Sequence, residues 1–103
     1  MQLLRTAFIV VSTIVLCSLQ TIAQDKFTVY EIAGDTARNR GNYYGAHQSY
    51  KQALKIRDNI DVAYKCAEVC RGYQNYPEAE NFYRLVLTKD SAKYPQAFYW
   101  YSE

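Results

Sequence analysis

Apolar positions along residues 27–103 recur at helical spacing and are interrupted by glycine, asparagine and aspartate. Tyr30, Ala33, Gly34 and Ala37 fall at i, i+3, i+4 and i+7, which predicts one face of a first helix, and Gly41 ends it. Asn42 is placed to cap a second helix, because its side chain can accept a bond from an exposed backbone N–H. Tyr43, Ala46, Tyr50, Ala53 and Leu54 form the stripe of that helix, which fades at Asp58-Asn59. Asp61 is the expected cap of a third helix, with Ala63, Cys66, Ala67 and Cys70 as its buried face. Asn75 is the expected cap of a fourth. Pro77 is tolerated in a first turn, and Glu78 completes an approximate capping box. The fourth stripe is Ala79, Phe82, Tyr83, Val86 and Leu87. No segment alternates polar and apolar residues with β-branched enrichment. The pattern predicts an all-α fold of antiparallel helical hairpins.

These stripes repeat. Gly41 to Tyr50 aligns with Gln74 to Tyr83 at an offset of 33, matching Asn42 with Asn75, Tyr43 with Tyr76, Ala46 with Ala79 and Tyr50 with Tyr83. Leu54 and Leu87 continue the match, and Ala63 to Ala67 aligns with Ala97 to Tyr101 at an offset of 34. Small residues (Gly34 and Ala67, Ala46 and Ala79) allow close approach of helix backbones, while Tyr50, Tyr83 and Leu87 fill the space beside them. A period near this length marks stacked repeats that bury their apolar faces on their neighbours.

The first 23 residues differ from the rest. Arg5 is the only charge before Asp25, Ala7 to Leu19 is apolar apart from Ser12, Thr13 and Ser18, and the stretch ends in Thr21-Ile22-Ala23. A basic start, an apolar middle and a small-residue exit predict a secretory signal peptide over residues 1–23. A membrane-spanning helix needs about 20 apolar residues, and Gln20 and Thr21 cut this one short. Lipidation of Cys17 is the other variant, disfavoured by Leu16 where a small residue normally precedes the cysteine.

Without Arg5, eleven of the twelve Lys and Arg residues face ten acidic ones, so neither nucleic-acid binding nor an acidic tail is indicated. All eleven tyrosines lie after the signal, as expected of helices packed through amphipathic rings.

Tyr30, Gly34, Ala46, Tyr50 and Ala53 over about residues 27–60 resemble a tetratricopeptide repeat. Ala67, Tyr76, Ala79 and Tyr83 resemble a second over 61–94, and Ala97 to Tyr101 resembles the start of a third over 95–103, with 24–26 as a short linker. Asp58 and Ser91 stand where the repeat usually closes on proline, and Ala63 replaces a bulky residue. The resemblance implies a solenoid whose partners lie in a concave groove lined by the first helix of each unit. The groove residues it assigns are Glu31, Asp35, Arg38, Asn39, Tyr64, Glu68 and Arg71. Asp35 and Glu68 occupy matching places, as do Arg38 and Arg71, which implies an acidic row beside a basic one with Tyr64 as an aromatic anchor. An acid and an Arg three apart on one helix can also satisfy each other, so a self-neutralised surface is the competing reading. Glu31 and Asp35 stand where some relatives clamp a peptide carboxylate with Lys and Asn, so a free acidic C-terminus is not the implied ligand.

A narrower resemblance rests on Gly34-Asp35, Tyr64-Lys65-Cys66-Ala67-Glu68 and Tyr94-Pro95-Gln96-Ala97. These phrases behind a signal peptide are similar to the start of envelope proteins that carry repeats, a β-propeller and a peptidoglycan-binding OmpA-like domain. Some of those belong to type IX secretion machinery. Because the aromatic cluster Phe98 to Tyr101 precedes Glu103 with no second helix to cover it, the chain is expected to be a fragment.

Candidate chemistry is sparse. Cys66 and Cys70, spaced i, i+4, could form half of a metal site. The single histidine, His47, lies on another helix at a position read as facing solvent. The stripe explains both cysteines as core, where free Cys behaves as a small hydrophobe, and a disulfide within one regular helix is awkward. Glu31 and Asp35 mimic a catalytic dyad but read as helix surface. The expectation is a non-enzymatic protein-interaction scaffold, periplasmic and in possible outer-membrane or peptidoglycan association. It has no cofactor, metal, nucleic acid or small-molecule substrate, and its partner is another envelope protein or peptide segment. The alternative is an accessory module of a larger OmpA-like or catalytic envelope protein.

Overall fold

Two tight turns with the same hydrogen bonds set the architecture. In the first, Asn42 N–H donates to Ala37 C=O at 2.8 Å and Gly41 N–H to Arg38 C=O at 3.0 Å. In the second, Asn75 N–H donates to Cys70 C=O at 2.8 Å and Gln74 N–H to Arg71 C=O at 3.1 Å. This paired closure satisfies the last carbonyls of a helix and requires a left-handed residue just beyond it. Gly41 supplies it with φ 79° and Gln74 with φ 70°.

The computed structural model describes residues 26–102, which form five helices and no strand. The signal peptide expected over 1–23, most of the linker, and Cys17 lie outside the described residues. Helix α1 covers 26–39, α2 is Tyr43–Ile56, α3 Ile60–Gly72, α4 Tyr76–Asp90 and α5 Pro95–Ser102. Short turns bring each helix back against the one before it, and α2 packs on α3, α3 on α4 and α4 on α5. The all-α reading therefore holds for the described residues. None of their helices is long and apolar enough to cross a membrane.

The helix starts follow the expected chemistry in part. Asn42 caps α2, its side-chain oxygen accepting from Gly45 N–H at 2.9 Å. Asn75 stands at the start of α4 but makes no capping bond, since its amide donates to the Tyr73 hydroxyl at 2.9 Å. Helix α3 corrects the expectation for Asp61. Asn59 is the cap, accepting from Asp61 N–H at 3.0 Å and Val62 N–H at 3.1 Å. Asp61 lies inside the helix, where its carboxylate accepts from the Tyr94 hydroxyl and pairs with Lys93 at 3.0 Å.

The core runs through all five helices. Ala46, Tyr50, Ala53, Ala63, Cys66, Ala67, Cys70, Ala79, Tyr83 and Val86 are buried along the predicted stripes, joined by Phe27, Val62, Val69 and Ala97. Helix α1 departs from its stripe. Gly34 is buried, whereas Ala33 and Tyr30 are exposed, because α1 seats on its neighbours through Phe27 and Gly34. The Phe27 ring lies 4.2 Å beneath the Arg57 guanidinium.

Candidate functional site

Helices α1 and α3 lie close enough for one lysine to serve both acids of α1. Lys65 Nζ stands 3.8 Å from Glu31 Oε2 and 3.2 Å from Asp35 Oδ1. Arg38, one turn on, reaches Asp35 only at 3.9 Å. The buried Tyr50 donates its hydroxyl to Asp35 Oδ1 at 2.5 Å. Burial pushes the Asp35 carboxyl up, but the Tyr50 hydroxyl, Lys65 and Arg38 outweigh it and hold it below the ordinary value. The Tyr50 phenol is driven up by burial and by that same bond. The ion pairs are about one-third exposed, with side-chain accessibilities of 26–34%, so water screens them and each contributes modestly.

Tyr64, Glu68 and Arg71 form a second group along α3. Tyr64 stacks on Tyr94 with centroids 4.1 Å apart and planes 9° apart, and meets Tyr83 edge-on at 6.1 Å. Its hydroxyl, pushed up to about 12 by burial and then by its bond to Glu68, stays protonated at neutral pH. Arg71 Nε donates to the Tyr83 hydroxyl at 3.2 Å, and its guanidinium lies 3.7 Å over the Trp100 ring. A cleft of about 690 Å³ opens here, lined by Arg71, Tyr76, Glu80, Tyr83, Trp100 and Tyr101 among others.

The residues assigned to the groove thus fall into two groups with different chemistry. Glu31, Asp35 and Arg38 gather around Lys65; Tyr64, Glu68 and Arg71 gather around Tyr94, Tyr83 and Trp100. Asn39 is exposed at the end of α1. Repeat-equivalent residues do not share partners, since Arg38 pairs with Asp35 on its own helix while Arg71 turns to the rings of Tyr83 and Trp100. Lys65 was absent from the sequence-derived set. Its signal lay in helical spacing, one turn before Glu68 and beside Tyr64, but the acids it serves are on a helix 30 residues away.

His47 corrects the sequence reading outright. It is 3% exposed, not solvent-facing. Its Nδ1 is 2.6 Å from the Tyr73 hydroxyl, and the Phe82 ring covers it edge-on at 6.2 Å. A ring nitrogen of His47 and the Sγ atoms of Cys66 and Cys70 lie within 4.8 Å of one another, all three residues buried. Neither thiol forms a disulfide among the described residues. The Cys66 thiol is pushed up by its hydrogen bond with Cys70 and by burial, so it is a poor nucleophile at neutral pH. Both cysteines are fully buried.

Compared with known protein families, curated proteins and solved structures, the chain matches none of them.

Proposed function

We propose that this chain is a protein-interaction scaffold of the cell envelope, without catalysis of its own, built as a tetratricopeptide-type stack and exported behind its N-terminal signal. The observation that carries this reading is the recurrence of one hairpin plan at an offset of 33. The left-handed turn at Gly41 recurs at Gln74, and the buried pair Ala46 and Tyr50 recurs as Ala79 and Tyr83. Such a stack leaves the first helices of successive hairpins side by side, here displaying Glu31 and Asp35 of α1 next to Tyr64 and Glu68 of α3. The partner is an extended segment of another envelope protein laid along this surface. Charge supplies part of its recognition, because two acids share the single Lys65.

A charge-reversed chain tests this. Glu31→Lys with Glu68→Lys changes partly exposed side chains and leaves Tyr64, Tyr83 and Arg71 in place. Immobilised wild-type chain should retain a defined envelope protein that the doubly reversed chain loses, with equal helical circular dichroism for both. Equal retention by the two chains removes the groove from the proposal. A second reading is favoured by α5, where Phe98 is 68% exposed: the stack serves as an accessory unit, with this ring covered by a further packed element.

A further inference from the structure

We propose that His47, Cys66 and Cys70 form a three-ligand site for a soft, thiophilic metal ion, with Cu(I) as the best match. The two cysteines stand four residues apart on α3, so both Sγ atoms emerge on one side of the helix, toward α2. His47 on α2 meets them there, and the three donor atoms lie within 4.8 Å of one another. Metal–ligand bonds of about 2.0–2.3 Å place donors about 3.5–4 Å apart, so rotation of these side chains closes the remaining distance.

The strongest single pointer is His47 Nε2. It is buried and has no hydrogen-bond partner among the described residues. A polar atom stranded in this way costs stability unless something binds it. The opposite nitrogen is already held as a metal-bound imidazole requires. Nδ1 is 2.6 Å from the Tyr73 hydroxyl, and that hydroxyl accepts from the Asn75 amide at 2.9 Å. With Nδ1–H donating to the Tyr73 oxygen, the Nε2 lone pair is free for an ion, the arrangement by which a second partner fixes tautomer and ring plane.

Donor type and number select the ion. Two thiolates and an imidazole suit Cu(I) or Zn(II) and not the hard cations. Zn(II) prefers four ligands, the fourth often a water. Here Cys66 and Cys70 are 0% exposed and His47 3%, which leaves no wet fourth position, whereas Cu(I) accepts three-coordination. Binding replaces the two thiol protons, which pass to solvent as the sulfurs become thiolates. No electron is transferred if the ion is supplied as Cu(I).

The test is anaerobic titration of the reduced full-length chain with Cu(I) against a chromophoric Cu(I) chelator, with Zn(II) and a zinc indicator in a parallel arm. The wild type should take one Cu(I) per chain and melt at a higher temperature when loaded. Cys66→Ala, Cys70→Ala and His47→Gln should each lose at least about a hundredfold in affinity, and Tyr73→Phe about 10–100-fold, while Cys17→Ala retains wild-type binding. Binding that survives the cysteine substitutions, or tighter retention of Zn(II) than of Cu(I), overturns the assignment. X-ray absorption of the loaded wild type gives a reading independent of variant folding. Two sulfur neighbours and one nitrogen support the site, and any other donor set sinks it.

Discussion

The ring of Tyr50 occupies the space where Gly34 lacks a side chain: a Cβ built on Gly34 would stand 2.4 Å from Tyr50 Cε1. The tyrosine is fully buried, and its hydroxyl is anchored on Asp35 one residue further along α1. It cannot swing away without losing that bond. Gly34→Ala should therefore destabilise the chain by about 1–3 kcal/mol, the usual cost of overpacking a filled core. Urea unfolding followed by circular dichroism measures it. Adding Tyr50→Leu, which clears the ring, should make the alanine nearly neutral in that background; an equal cost in both backgrounds refutes the contact as the cause.

Gln74 carries a conformation that glycine adopts freely. Its φ of 70° places it in the left-handed region, which costs a residue with a Cβ about 1–2 kcal/mol. Gln74→Gly should raise stability by about 1 kcal/mol, after the greater backbone freedom of glycine in the unfolded chain is offset. At the equivalent turn Gly41→Ala should lower it, although no described residue lies within 4 Å of the added methyl. The same sign of change at both turns contradicts this account.

Acid should weaken the α1–α3 junction through Asp35. Its folded carboxyl titrates below the ordinary 3.8, so the unfolded chain takes up this proton at a higher pH than the folded one. The contribution is complete above the unfolded value and is lost as pH falls through about 4 and below. The groups facing it are Tyr50 from α2, Lys65 from α3, and Arg38 and Glu31 from α1. Asp35→Asn should flatten the fall in urea midpoint between about pH 5 and pH 3. Asp61, lowered by its bonds to Tyr94 and Lys93, stays in both chains as a shared background. Parallel curves for the two chains exclude the role.

Trp100 is the only tryptophan, so its emission reports on α5 alone. Its ring sits 3.7 Å from the Arg71 guanidinium, a contact worth about 1 kcal/mol in a partly buried setting. Arg71→Leu keeps much of the volume and removes the charge. Emission should move to longer wavelength, and its urea transition should precede the loss of helical signal. Coincident, unshifted transitions rule out Arg71 as the clasp of α5.

What the sequence showed and hid follows from the range of the interactions. Caps at Asn42 and the small-and-large alternation of Ala46, Tyr50, Ala79 and Tyr83 are local, and periodicity reveals them. The Asp61 misreading was a contest between two Asx residues within one helical turn, which capping rules do not separate. His47 was misplaced because a single polar residue beside an apolar stripe reads as surface. Its burial depends on Tyr73 and Phe82, which arrive 26 and 35 positions later. Lys65 escaped for the same reason, since its partners belong to another hairpin.

The Lys65–Asp35 pair has a relative further along, Lys93–Asp61. Each ties an aspartate on the first helix of a hairpin to a lysine later in the chain, Lys65 on α3 and Lys93 in the turn before α5, while alanines and tyrosines lock the helices tightly inside. One side of the stack is thus fixed by shape and the other by charge that water and ions can reach. The screening length is about 8 Å at physiological ionic strength and falls to about 3 Å at 1 M, so pairs at 3.2 and 3.0 Å are only partly screened in the first case and weaken in the second. Concentrated salt should therefore lower the stability of the stack by a modest amount while leaving its tightly packed interior in place.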